Sequence, residues 1–452
     1  MGKQDQMKKN LRLAMAAVTI AIIAGAMTGC SSGAGTTSSS CQATIVDKSA
    51  PQVSVWAWYP HFDKIVDNFN KTHTDVQVCW TNVGAGGPEY TKLSTAIQAG
   101  SGAPDVVMLE TDHVPQYVAQ KALVDITKHG ANAALANFAT GTVTDETVNG
   151  GVYAVPVDGG PVGLLYRKDI FKKYGLTVPT TWDEYLADAE KLKAASPTTL
   201  ITNFAGNGGG ATEALYAQAG GPVPFALDGT SITIQTNSAQ WNKAAAYWSN
   251  MISKKLVGTE DASTTDYNTH VVDGTYASVI AAAWLPGYLI GFKGAEAGAV
   301  WAAAPLPQWN ASAPIAANIG GSAFGVTTQA KDKTLSTKVA SELFADPASL
   351  DYGAKNNIIF PLNATYNKSA TFVNLPYPFF NNQVVNKEVF VPALQAYTGL
   401  PASPFQDYFY DQLNAASVSM IGGRVTSSAA LGTMQADLVT YAKGKGYTVK
   451  QK

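Results

Sequence analysis

The sequence predicts an α/β protein folded as two lobes, each a sheet flanked by helices. Three observations predict it. Strand-like and helix-like stretches alternate from Gln52 onward. A body of about 410 residues is too large for one hydrophobic core. Connections rich in Pro and Gly interrupt the chain at 155–162, 304–321 and 374–380, which are the expected lobe crossings.

Residues 53–58 are β-rich and alternate, which predicts a first strand. Phe62, Ile65, Val66 and Phe69 then recur at i, i+3, i+4 and i+7, one face of a helix over 61–70. Residues 76–83 read as a second strand. Tyr90, Leu93 and Ile97 mark a second helix that Gly100 should stop, since glycine is favoured just past a helix end. Residues 106–109 are wholly apolar, as a buried parallel strand requires. This alternation is the pattern of a βαβ sheet. Farther on, Thr181-Trp182-Asp183-Glu184 is a capping box opening a helix with Trp182, Tyr185, Leu186, Ala189 and Leu192 on one face. Helices over 239–255 (Trp241, Ala244, Ala245, Trp248, Ile252) and 429–442 (Leu431, Met434, Leu438, Tyr441) show the same periodicity. The glycine run at 206–211 lacks a preceding apolar strand and reads as a loop.

The N-terminus carries a targeting signal. Lys3, Lys8, Lys9 and Arg12 precede an uncharged stretch, 13–29, rich in Ala, Ile and Val. This is the pattern of a secretory signal peptide; a spanning helix wants about 20 apolar residues, and Gly25 and Gly29 break this one. Met27-Thr28-Gly29-Cys30 resembles a bacterial lipobox, which implies a signal peptide over 1–29 and diacylglycerol (with palmitate-type acylation) on Cys30. Residues 31–40 are only Ser, Gly, Thr and Ala, so 30–50 is expected to be an acylated, flexible tether. Of three cysteines, Cys41 and Cys79 remain as an even pair, either a disulfide, the reading preferred here, or two free buried thiols. Without 1–29 the chain has 27 Lys+Arg against 32 Asp+Glu. That mild acidity, with no basic run, argues against nucleic acid as a partner.

Four segments carry a family resemblance: residues 53–69; Gly102-Ala103-Pro104-Asp105-Val106-Val107; Tyr153-Ala154-Val155-Pro156 through Gly163-Leu164-Leu165-Tyr166-Arg167-Lys168-Asp169 to Pro179-Thr180-Thr181-Trp182-Asp183-Glu184; and 274–284 with Pro305-Leu306-Pro307 before Gly320-Gly321. In this order they resemble the family 1 extracellular solute-binding proteins of sugar ABC importers. The resemblance implies a two-lobed, periplasmic-binding-protein-like fold with the ligand in a cleft. The lobes would comprise 51–155 with about 318–373, and 156–317 with about 374–452. It implies an extracytoplasmic monomer, anchored through Cys30, that closes on a mono- or oligosaccharide and delivers it to the permease subunits. No enzymatic activity, metal or cofactor is implied.

A sugar presents apolar C–H faces and hydroxyls, so aromatic faces beside carboxylates and amides mark its site, and in α/β lobes these belong at strand carboxyl ends. The candidates are Trp58 and Tyr59 after the first strand, Glu110 and Asp112 after the third, and Asp158 in the first crossing. Trp284, matching a family stacking position, and Tyr288 come next, with Asn318 and Gly320 in the second crossing. Asn207, Gly208, Phe379 and Phe380 are weaker. The rival class is a glycosidase, which needs two carboxylates across one bond. No G-x-S-x-G or H-E-x-x-H signature is present, and the five His show no ligand-like spacing. A sugar phosphate or peptide ligand is a further alternative; residues 84–89 before a helix resemble an anion cradle, with Glu89 against it.

Overall fold

The computed structural model describes residues 41–262, 264–289, 300–356 and 359–450. The signal peptide, Cys30 and the 31–40 tether lie outside the described residues. Strand β1 (Gln52–Trp56) pairs in parallel with β2 (Gln77–Thr81) and with β3 (Val106–Glu110). The connections are the helices Phe62–Thr72 and Gly87–Ala99, so the expected βαβ order holds. The first helix buries Phe62, Ile65, Val66 and Phe69, the four residues its period selected. The second ends at Gly100, whose φ of 71° lies in the left-handed region that glycine occupies without steric cost.

Beyond a small hairpin of β4 (Thr147–Val148) and β5 (Gly151–Val152), the long strand β6 (Ala154–Arg167) carries the chain out of the first sheet region. A separate sheet is built from β7 (Phe225–Asp228), β8 (Ser231–Ile234) and the C-terminal β12 (Thr448–Lys450). Strands β9 (Ser278–Ala282) and β10 (Trp301–Pro305) pair with the second half of β6, and β11 (Asn318–Val326) pairs with its first half. The main sheet runs β10-β6-β11-β3-β1-β2, with β9 also on β6. Along β6, Val155 and Val157 join one core with Phe62, Phe324 and Phe344, whereas Val162 and Leu164 join another with Trp182, Trp248 and Phe409. Two cores joined by shared strands are the two-lobed arrangement. A Cβ at Gly160 would stand 1.8 Å from the Ile319 carbonyl oxygen, so only glycine lets β6 and β11 approach this closely.

In the second core the Thr181 capping box forms, with Thr181 Oγ1 accepting from Glu184 N and the Glu184 carboxylate accepting from Thr181 N, and the helix runs Trp182–Ala195. The helix Ala239–Ser253 buries Trp241, Ala244, Ala245 and Trp248, and Ser427–Gly444 buries Leu431, Met434 and Leu438, whereas Ile252 and Tyr441 of the expected faces are half-buried. Two stretches differ from expectation. The helix Gly209–Ala217 begins inside the glycine run read as a loop, because Tyr410 packs over Gly209 and Gly210 where larger side chains would collide. Residues 374–380, read as a crossing, stay with the first core: Phe379 stacks on Trp301 with centroids 5.6 Å apart and Phe380 is buried. The chain leaves that core only after Leu394 and enters the second at Phe405.

Glu89, in the first turn of the helix Gly87–Ala99, is 0% exposed and neither carboxyl oxygen has a hydrogen-bond partner. A buried acid there is no anion cradle. Burial raises its pKa to about 9, slightly offset by Lys92. The unfolded chain ionises this group near its ordinary value and the folded one does not, so the folded state loses stability as pH rises from about 4.5 to about 9. Glu89→Gln is expected to stabilise the protein at pH 7, on the order of 3 kcal/mol, and to flatten that decline. Denaturant melts at pH 5 and 8 check it; an unchanged pH slope counts against a protonated Glu89.

Candidate functional site

A cavity of about 250 Å³ opens at the carboxyl ends of β1 and β3, where β6 and β11 cross. The sheet positions each wall. Trp58, Tyr59 and Pro60 follow β1, and Met108 and Glu110 close β3. Asp158 lies mid-way along β6, opposite Ser322 of β11, and Gly320 and Gly321 complete the floor. Trp284, Gly287 and Tyr288 come over the top from the turn after β9.

The aromatic walls are oriented by specific contacts. Trp284 Nε1 donates to the Ile319 carbonyl at 2.9 Å, and Tyr288, 64% exposed, meets its ring edge-on at 5.6 Å. Trp58 stands edge-on to Tyr90 at 5.8 Å. Tyr59 is only 4% exposed: its hydroxyl bonds Ser322 Oγ at 2.5 Å and its ring packs on Phe62, Phe324 and Phe344. It is as much core as cavity wall.

The acids are desolvated. Burial raises Asp158 to about 7, although its carboxylate accepts from Phe360 N at 2.5 Å. Burial and then the neighbouring Asp112 charge raise Glu110, whose Oε2 accepts from Tyr90 Oη at 3.0 Å. Both are acceptors already tied to the scaffold by one bond, with lone pairs left for a ligand's hydroxyls.

Of the nine expected ligand residues, the structure brings Trp58, Tyr59, Glu110, Asp158, Trp284, Tyr288 and Gly320 to this cavity. Asp112 and Asn318 instead line a smaller chamber of about 40 Å³ that shares Gly320. Asn318 bridges the crossing strands, accepting from Gly160 N at 2.9 Å and donating to the Gly320 carbonyl at 2.7 Å. Asp112 Oδ1 lies 2.6 Å from His113 Nδ1, and its Oδ2 accepts from Tyr410 Oη at 2.5 Å. Phe379 and Phe380 lie in the first core away from the cavity, and Asn207 exchanges hydrogen bonds with Ala262. Sequence reasoning missed Ser322, which the adjacent Gly320-Gly321 pair marks, and the chamber residues Asp145, Glu213, Tyr397 and Tyr410. Nothing local signals those four, since only long-range packing gathers them.

Glu110, Asp112 and His113 bring donor atoms of metal-ligand type within 4.8 Å of one another. Both His113 nitrogens are already engaged, by Asp112 and by Asp407 at 3.0 Å. Cys41 and Cys79 are free, adjacent thiols; burial, then the Cys41 thiol, pushes Cys79 up to about 12.

A sequence profile described as bacterial extracellular solute-binding protein matches residues 58–348. The chain belongs to that family. This solute-binding protein is 28% identical over 314 residues to a lactose-binding protein of Rhizobium radiobacter, covering 66% of this chain and 71% of the relative. It is 24% identical over 300 residues to an arabinooligosaccharide-binding protein of Bacillus subtilis, covering 65% and 67%. Among solved structures it resembles the ABC transporter associated binding protein of B. animalis subsp. lactis in complex with beta-1,6-galactobiose (TM-score 0.73, 27% identity, 89% of this chain, 100% of that one). It also shares the fold of the galacto-N-biose-/lacto-N-biose I-binding protein of Bifidobacterium longum (TM-score 0.77, 22% identity, 89% and 100%). No described helix of this solute-binding protein is long and apolar enough to cross a membrane.

Proposed function

We propose that this solute-binding protein holds a saccharide, of mono- to oligosaccharide length, in the cavity between Trp58, Trp284 and Tyr288 and delivers it to the permease of an ABC importer. The observation that carries the reading is three aromatic side chains lining one cavity with two carboxylates, Glu110 and Asp158. Apolar ring faces need the former and hydroxyls the latter. The lactose-binding relative and the galactobiose complex support a β-linked galactoside as the first ligand class to test. An anionic ligand fits poorly, because no Lys or Arg is among the described residues lining the cavity. Ligand contacts with both lobes would stabilise the closed form by their differential affinity for it. Isothermal calorimetry with lactose, galactobiose and arabino-oligosaccharides should give saturable heat for at least one. No heat from any, together with turnover of a chromogenic galactoside, would mean a glycosidase instead.

The same reading includes a lipid on Cys30 as the only anchor, an extracytoplasmic location, a monomer, and a Cys41–Cys79 disulfide formed from the adjacent thiols. It takes 51–155 with about 318–373 as one lobe and 156–317 with about 374–452 as the other, and the packing of 374–394 on the first core favours moving that boundary to about 395–404. Palmitate labelling that persists in Cys30→Ser would count against the anchor, and two titratable thiols in secreted protein would count against the disulfide.

A further inference from the structure

The 40 Å³ chamber beside the cleft differs in chemistry from the cleft itself. It is lined by Asp112, Asp145 and Glu213, with Tyr397, Tyr410 and Asn318 between them, and no described lining residue is Lys or Arg. Asp145 Oδ1 accepts from Leu400 N at 2.7 Å and from Tyr397 Oη at 3.3 Å. Glu213 is 4% exposed; its Oε2 accepts from Gln406 Nε2 at 3.2 Å, but its Oε1 is buried with no partner. A buried acceptor left open costs on the order of 1–3 kcal/mol, so a donor from outside has a ready-made place. Gly320 lines both chamber and cleft, so a ligand seated on Trp284 has the chamber beside it.

The volume holds a group of about three heavy atoms, since one water needs about 10–15 Å³ of such space. A sugar ring does not fit. Nor does the spacing suit a metal ion: oxygens bound to one Ca²⁺ at about 2.4 Å lie within about 4.8 Å of one another. Among the described residues only Glu110, Asp112 and His113 converge that closely. An ammonium group reaches its oxygens at about 2.8 Å, so it demands less convergence than a bound metal ion. Burial, and then the Asp112 charge, holds Glu213 at about 8, a state that an entering cation would relieve.

We propose that this chamber receives an ammonium substituent, so that the preferred ligand is an amino sugar or a saccharide bearing one free amine, with Glu213 Oε1, Asp145 and Asp112 as its acceptors. The inference rests on the saccharide reading of the cleft. Its test is calorimetry with lactose against lactose analogues in which each hydroxyl in turn is replaced by a free amine. At least one analogue should bind ten-fold or more tighter than lactose, and Glu213→Gln, checked for folding by its melt, should bring that ratio close to one. Asp145→Asn should lower the same ratio if the first variant does not fold. Lactose binding with every amine analogue equal or weaker overturns the ammonium inference and leaves the cleft reading standing. A preference that survives in both Glu213→Gln and Asp145→Asn also overturns it. No binding of lactose, galactobiose, arabino-oligosaccharides or any analogue overturns the cleft reading instead.

Discussion

Replacing Trp284 with alanine is expected to weaken saccharide binding by one to two orders of magnitude while leaving the melting temperature nearly unchanged. The indole lines the cavity and is held by its Nε1–H bond to the Ile319 carbonyl. Ile319 lies on the crossing strand β11, so the bond ties the ring's orientation to that strand as well as to its own turn after β9. Tyr288 braces it edge-on at an interplanar angle of 79°. Covering such a face with the apolar side of a sugar removes aromatic surface from water, worth about 1.5–3 kcal/mol, or roughly 10- to 150-fold in affinity. The fold has little to lose, because Trp284 is only partly buried at the edge of the first core. Trp284→Phe should retain part of the affinity, since it keeps a face but not the anchoring bond. Calorimetry on both variants decides the matter: wild-type affinity in Trp284→Ala would show the ring to be a lid and not a platform.

Loss of His113 is expected to have the largest effect on stability. The side chain is 6% exposed and lies between two carboxylates, with Nδ1 2.6 Å from Asp112 and Nε2 3.0 Å from Asp407. Burial alone would lower its pKa, but the Asp112 carboxylate and then Asp407 outweigh it and raise the imidazole to about 10. Asp112 shows the converse: burial would raise it, and the His113 charge and hydrogen bond keep it below the usual carboxylate range. The cluster joins the segment after β3 to the helix Gln406–Ile421, where Gln116 Nε2 also donates to Asp407 at 2.7 Å and Tyr410 donates to Asp112. His113→Gln would leave Asp112 ionised near Glu110 and Glu213 without its cation, a loss of about 3–5 kcal/mol at pH 7. The sign with pH follows from the raised pKa. The contribution is complete below the imidazole's ordinary 6.5 and disappears as pH rises toward about 10. Thermal melts of wild type and His113→Gln should therefore differ most at pH 6 and converge by pH 10. A gap that does not narrow with pH would mean the loss is one of packing, for instance of the Tyr90 ring stacked on the imidazole at 4.6 Å.

Glu89 and His113 also show where a residue's environment escapes local pattern. Both are buried, Glu89 with no hydrogen-bond partner and His113 between two carboxylates, one of them on the distant helix Gln406–Ile421. No spacing rule reports a desolvated carboxyl or a second carboxylate almost 300 residues away.

The sequence by itself determined the helices and strands whose signals are local. The Phe62–Phe69 face, the Gly100 stop, the Thr181–Glu184 capping box and the apolar run of β3 each act over a few residues and formed as read. It also determined which strand ends and crossing strands would carry cavity residues, because a ligand cleft forms where strands end and chains cross. The tertiary structure decided how those residues are used. It turned Tyr59 into the core, drew Asp112 away from the main cavity to a salt-bridged cation, and tied Asn318 across Gly160. It alone assembled Asp145, Glu213, Tyr397 and Tyr410 into an acid-lined chamber. The reason is physical. Backbone propensity and hydrophobic period are set by neighbours in sequence, whereas desolvation, charge pairing and cavity shape are set by neighbours in space.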